Sequence, residues 1–216
     1  MNAGLSNLAT LKGQLLAVSM QSNTNYDPII TAIGLGVAAR IDRFCNRRMA
    51  WLVGAVDTCR SDRRHWYLER FPVAALTALA KKDSETDGWV SFPLPPDGNS
   101  LVQVMELQQG YINFIAIQGY FFSQLQITYN GGFFFNTADT FDAGYSGPQT
   151  QPAGSIALPS DIQLAWFLQC QNVWKRYDKL GVQISQDPEP QSAISSLDLC
   201  DAAKDLLQPH IRYNMS

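Results

Sequence analysis

Ile127-Thr128-Tyr129-Asn130-Gly131-Gly132-Phe133 alternates like a strand, stops at a glycine pair, and is followed further on by Leu158-Pro159-Ser160-Asp161, which opens a helix. Strand period 2 and helix period 3.6 put side chains on faces in incompatible ways. The change of period across this stretch therefore predicts a mixed chain. From Ser160 onward Ile162, Ala165, Trp166, Cys170, Val173, Trp174 and Tyr177 fall on one helical face. Lys175, Arg176 and Lys179 occupy the last turns before Gly181, where cations complement the helix dipole.

Working outward toward the N-terminus, short runs rich in β-formers precede Ile127: His65–Arg70, Val73–Ala80, Trp89–Phe92, Leu101–Leu107, Tyr111–Ala116 and Leu125–Tyr129. Turn-rich clusters at Lys82–Gly88, Pro93–Asn99 and Gln108–Gly110 separate them. Before residue 48 the period is helical. Ser6–Ala17 predicts a short helix capped by Ser6, and Asp27-Pro28 starts a second that runs to about Arg47. Gly34 and Gly36 lie inside that second helix, where glycine is unfavourable, and predict close approach by another helix or subunit. On the C-terminal side, Asn136–Ile156 reads as a long loop, and Leu197–Gln208 as a last helix ended by Pro209 with a short tail behind it. The expected fold class is α+β: a small helical bundle core with an antiparallel β domain inserted between the second and third long helices. Its parts are N-terminal helices over 1–50, the β domain over 51–135, the loop over 136–157, and C-terminal helices and tail over 158–216.

The 216 residues suffice for a sizeable core. Charged residues make up 16%, against roughly 25% in average globular chains. A surface low in charge and high in neutral polar and aromatic groups suits a protein covered by neighbours. A net charge of −3 argues against a protein built mainly to grip phosphates. Residues 1–20 do not read as a signal peptide, and no run approaches the ~20 apolar residues of a membrane span. Cys45, Cys59, Cys170 and Cys200 fit no zinc spacing, and Cys45 and Cys170 fall on apolar helical stripes as buried thiols.

Catalytic equipment is not visible. His65 and His210 stand apart from cysteines and carboxylates at ligand spacing, and both read as surface or interface histidines. Asp83, Glu85 and Asp87 form a solvated tip without the order of a calcium loop. No nucleophile elbow, dinucleotide fingerprint or phosphate-binding loop occurs. No cofactor, no metal and no enzymatic activity are expected. Arg40, Arg43, Arg47 and Arg48 follow helical spacing; they read either as a site for an anionic partner or as a solvated face with local salt bridges. The aromatic series from Tyr111 to Phe135 suits a sheet core or subunit interface better than a nucleic-acid stacking platform, because no cations are interleaved. Phe133-Phe134-Phe135 cannot all point inward, so at least one awaits a partner.

Several of these stretches, in this order, resemble the head–tail connector (adaptor, or head-completion) proteins of long-tailed phages. The matching residues are Ile41–Arg47 at the end of the second helix, Glu69-Arg70-Phe71-Pro72-Val73 opening the insertion, Tyr129–Phe133 closing it, Leu158–Asp161 starting the third helix, and Trp174–Tyr177 ending it. The loop Asn136–Gly154 is longer than in that family, and the final helix follows it loosely. The resemblance implies a structural virion protein of the phage neck, assembled in the host cytoplasm. It implies a homo-oligomeric ring, a dodecamer, docked on the portal ring of the DNA-filled head. Such a ring extends the channel for double-stranded DNA without sequence-specific binding or membrane contact, and offers a surface to the next neck or tail-terminator protein. Under it Leu206, Leu207, His210, Ile211, Arg212 and Tyr213 are the expected portal-binding element, being terminal and set off by proline. Phe133, Phe134 and Phe135, with Arg43 and Arg47, are the expected subunit or tail-side interface. The competing readings are a tail-completion or minor capsid protein bound to a different ring, an α+β enzyme without a visible motif, and a single-stranded DNA binder.

Overall fold

The computed structural model describes residues 5, 7–60, 65–95, 102–106, 109–114, 124–135, 150–180 and 198–212. The chain forms two compact units. One takes the described residues up to Asn46, Phe135, and those of Leu158–Arg212; the other is built on Arg47–Phe134 with Thr150–Ala157. The fold class is α+β. In sequence, the β unit lies between the second and third helices.

In the helical unit, α1 spans Leu8–Leu15 and opens at Asn7, whose side chain accepts the Thr10 N–H. Ser6, the expected cap, lies outside the described residues. Helix α2 spans Asp27–Phe44 with proline in its first turn. Asp27 makes no cap bond; its carboxylate, favoured there by the helix dipole, instead receives the buried Lys12 ammonium at 2.6 Å. Helix α2 buries Ile30, Gly34, Val37, Ala38 and Ile41. Gly34 admits the expected close approach: its carbonyl accepts the Trp166 indole N–H at 2.9 Å. Gly36 does not, since it is exposed and an added Cβ meets nothing within 4 Å. The helix ends at Phe44, earlier than the spacing predicts, and Asn46 takes the left-handed conformation (φ 52°) common just past a helix end.

Helix α3, Ser160–Leu180, packs against α1, α2 and a final helix α4, Asp201–Leu207. Its buried face is Ile162, Ala165, Trp166, Gln169 and Cys170. Gln169 is the polar exception, and it is fully engaged. Its amide donates to the Asp198 carbonyl at 3.1 Å and accepts the Cys200 N–H at 2.7 Å, fixing the start of α4. Ala203 and Leu207 complete that contact from the α4 side.

Among the described residues the β unit holds nine strands: β1 Leu52–Arg60, β2 His65–Tyr67, β3 Val73–Lys82, β4 Val90–Phe92, β5 Val102–Glu106, β6 Tyr111–Phe114, β7 Gln124–Gly131, β8 Phe133–Phe134 and β9 Ile156–Ala157. They form an antiparallel sheet β1-β7-β3-β4, an antiparallel sheet β2-β6-β5, and a parallel pair β8-β9. Strand β1 is an addition to the sequence reading. Its alternation is broken by Gly54 (φ 67°) and by a register shift between Leu52 and Ala55. Strands β8 and β9 are further additions, β9 lying at the end of the expected loop; residues 136–149 of that loop lie outside the described residues. Strand β7 alternates buried and half-buried residues along its length and delivers Leu125, Ile127 and Tyr129 to a core shared with Ala55, Cys59, Leu68, Val73, Leu79 and Ile112.

At the end of β7 the glycine pair is a steric requirement. A Cβ on Gly131 would lie 2.7 Å from the Arg70 carbonyl oxygen, and one on Gly132 (φ 102°) 2.5 Å from the Ala50 carbonyl oxygen. Gly132→Ala should therefore destabilise by more than ~1 kcal/mol, since neither backbone nor dihedral can yield. Gly36→Ala should stabilise by up to ~1 kcal/mol through helix propensity. Denaturant midpoints of the two variants shifting in the same direction would refute this account of the glycines.

Candidate assembly surface

The expected portal-binding residues do not form a free tail. Leu207 is fully buried, which corrects its assignment to a docking element: its side chain belongs to the α4 stripe that packs in the helical core. Leu206, Ile211 and Arg212 are half-buried, and Tyr213 lies outside the described residues. His210 is tied down, with Nε2 2.7 Å from Asp161 Oδ2 in the first turn of α3. The Arg212 N–H donates to the Cys45 carbonyl at 2.9 Å. The segment after Pro209 is thus pinned at two points, the first turn of α3 and the Cys45 carbonyl just past α2; Arg43 in the last turn of α2 is exposed.

Arg47 departs from both readings of the basic helix. Because α2 ends at Phe44 and Asn46 turns the chain, Arg47 leaves the helical row of Arg40 and Arg43. It is buried, its guanidinium 3.4 Å from the Phe71 ring centroid and 4.8 Å from that of Phe133. Phe133 is itself 7% exposed, so it serves this contact rather than an open surface. Its N–H donates to the Met49 carbonyl at 2.7 Å and its carbonyl accepts the Trp51 N–H at 2.9 Å. Phe134 and Phe135 are half-buried.

The surface the residue patterns missed is the outer face of the four-stranded sheet. Register aligns Val56 with Thr128 and Ala78, and Thr58 with Gln126, Ala80 and Ser91. Neither row carries a charge. Val56 on β1 is 52% exposed on this face, whereas Val90 on β4, 56% exposed at the sheet edge, shares the core-side row of Cys59, Leu125 and Lys81. These two rows form a neutral, partly apolar strip of the sheet, bounded by the row that holds Lys82.

Beneath it lies a polar cluster without a sequence signature. Tyr129 donates its hydroxyl to Asp57 Oδ2 at 2.9 Å and accepts the Arg70 N–H at 3.0 Å, while Asp57 also accepts the Glu69 N–H at 2.6 Å. Burial raises the Asp57 carboxyl despite these bonds, and raises the Tyr129 hydroxyl. Burial, with Asp57 nearby, pushes the Cys59 thiol up to about 12, and burial raises Cys170. Both thiols are protonated near neutrality, the unreactive form. Asp83, Glu85 and Asp87 are exposed, with Lys81 2.9 Å from Asp83. Among the described residues no group of three or more His, Cys, Asp or Glu could hold a metal ion, and no helix is long and apolar enough to cross a membrane.

No protein-family model matches the chain, and no curated protein matches it. Among solved structures, a chain from the neck of an empty gene transfer agent (GTA) particle superposes with a TM-score of 0.44 at 16% identity, covering 86% of this chain and 80% of that one. A chain from the virion of a native GTA particle superposes with a TM-score of 0.45 at 14% identity, covering 96% and 90%. At that level of superposition neither transfers a residue role or a partner.

Two of the shifted carboxylates, Asp161 and Asp57, predict opposite pH responses. Burial alone would raise Asp161, but the bonds from His210 and the Ile162 N–H outweigh it and hold its pKa below 3.8. Its folded pKa being depressed, its contribution to stability is present above the unfolded value and is lost as pH falls through the folded one. Asp57 is raised, so its contribution is present below the unfolded value of 3.8 and is lost as pH rises through the folded one. Chemical denaturation from pH 2 to 7 should show Asp161→Asn flattening the acid loss of stability and Asp57→Asn gaining on the parent as pH rises. Parallel curves for all three proteins would contradict both assignments.

Proposed function

We propose that this protein is a structural component of a phage neck: a homo-oligomeric ring that docks on the portal of the DNA-filled head, extends the channel, and presents a surface to the next neck or tail-terminator protein. The observation that carries this reading is where the family-like motifs fall. Ile41–Arg47, Tyr129–Phe133 and Leu158–Asp161 lie at or next to points at which the chain passes from one unit to the other, and Phe71-Pro72-Val73 packs within the β unit against Arg47 and Gly132. Motifs that resemble a family and also govern the architecture are harder to match by accident than motifs on a surface.

Function on this reading is physical assembly. Neutral and apolar faces lose water when subunits and partners cover them, and that gain must exceed the entropy of association. The portal-side contact falls to Leu206, Ile211 and Arg212, the part-exposed residues of the pinned C-terminal segment, together with exposed Arg43. Phe134 and Phe135 belong to the subunit or tail-side contact. Double-stranded DNA passes without being gripped, in keeping with the net charge of −3.

Negative-stain imaging of the cognate portal ring with and without this protein tests the reading. An added annular layer is expected, and Arg43→Glu with Arg212→Glu should weaken that layer by about tenfold or more in apparent affinity. A bare portal at concentrations well above ~10 μM would overturn it.

A further inference from the structure

We propose that residues 208–212 are a strap that ties the end of α2 to the start of α3, so that loosening either helix end loosens the other. The strap follows directly on α4: Gln208–His210 makes one 3-10 turn, and Ile211 then extends (φ −70°, ψ 129°). It has two fastenings. At the first, His210 donates from Nε2 to Asp161 Oδ2 at 2.7 Å. Asp161 is ionised near neutrality, since its bonds hold its pKa below 3.8, and so can only accept. Its other oxygen takes the Ile162 N–H at 2.8 Å, in the first turn of α3 where the helix dipole favours a carboxylate. At the second fastening the Arg212 N–H donates to the Cys45 carbonyl at 2.9 Å. Cys45 caps the end of α2, where main-chain carbonyls have no partner within the helix. Only Ile211 stands between the two fastenings, so slack at one passes to the other.

Position gives the strap its consequence. The chain first leaves the helical unit after Asn46 and enters it again at Leu158. Cys45 stands just before the one crossing and Asp161 just after the other. Well inside both helices, α2 and α3 are joined by the Trp166–Gly34 bond and by their buried stripes. At the helix ends the strap joins them through two local polar bonds, a kind of contact that opens without unfolding the core. Leu206, Ile211 and Arg212, the proposed portal-side residues, lie on the strap or next to it, and Arg43 lies in the last turn of α2. A partner that covers them and favours the closed strap must, by the reciprocity of coupled equilibria, steady both helix ends. That step alone rests on the neck reading; the strap is a property of the free chain.

Residue-resolved amide hydrogen exchange of the full chain tests the strap without a portal. The reporters are the Asn46 N–H, donated to the Arg43 carbonyl at the end of α2, and the Gln163 N–H, donated to the Pro159 carbonyl at the start of α3. His210→Ala cuts the α3 fastening, yet Asn46 should exchange about threefold faster or more. Arg212→Pro deletes the N–H of the α2 fastening, at a site where the extended Ile211 suits a following proline, and Gln163 should quicken likewise. Arg212→Ala keeps that N–H and should have the smaller effect. Ile127 and Tyr129 in β7 should keep their parent rates throughout. Asp161→Asn, nearly isosteric, should reproduce the His210→Ala pattern at smaller size, which keeps the test decidable if His210→Ala fails to fold. Quickening confined to the helix whose fastening was cut would reveal two independent tethers and overturn the proposal, as would equal effects of Arg212→Pro and Arg212→Ala. With the cognate portal added, Asn46 and Gln163 of the parent should both slow. Reciprocal loosening with a bare portal keeps the strap and sinks the neck reading. An added portal layer on a chain whose two helix ends respond separately does the reverse.

Discussion

Three stretches of main chain meet at the glycine pair of β7, and the β unit depends on that meeting. Gly132 donates to the Pro72 carbonyl at 2.9 Å, Phe133 exchanges bonds with Met49 and Trp51, and Arg48 donates its N–H to the Glu69 carbonyl at 2.8 Å. The Arg70 guanidinium bonds the Ala50 carbonyl and closes the same knot from the side-chain direction. Residues 48–51 are where the chain comes into the unit and residues 131–134 are where it is about to leave. Fastening them together makes the unit self-contained, so an insertion between two helices needs little from its hosts. Any side chain at 131 or 132 would hold the stretches apart, which is why this place tolerates only hydrogen.

Buried polar groups impose uniqueness on both units. Lys12, Gln169 and the Asp57–Tyr129 pair each bond to groups fixed in space, and a shifted register would leave them desolvated and unpaired. Apolar stripes alone would let α4 slide along α3. The two-ended bond of Gln169 stops it, since only one placement satisfies both the amide N–H and the amide oxygen. The two outer rows Val56–Thr128–Ala78 and Thr58–Gln126–Ala80–Ser91 lack such markers. Their neutrality leaves them indifferent to salt and receptive to a covering neighbour.

Most of the architecture was legible because it rests on local signals. Asp27-Pro28 and Leu158-Pro159-Ser160-Asp161 mark helix starts by dihedral preference, and the strands β3 to β7 announce themselves by composition. What escaped depends on distance or on an interruption. Strand β1 hides behind Gly54, whose positive φ breaks the alternation. Asp57 and Tyr129 stand 72 residues apart, beyond the reach of any local pattern. Arg47 misled because helical spacing presumes a helix, and Asn46 ends it one residue earlier. The expected docking element differs in posture from a free tail. Its apolar residues are there, but Leu207 faces the core and His210 is bound to Asp161.

The Trp166–Gly34 bond joins residues 132 positions apart, and every link from α3 back to α2 spans the inserted unit. A ribosome making this protein releases α1 and α2 long before their packing partner exists. The strands of the β unit follow and find all of their mates within one continuous stretch, save the short β9. Translation thus favours closing the β unit first, while α2 waits with Ile30, Val37 and Ile41 still facing water. The first two helices are the part of the nascent chain most in need of a chaperone.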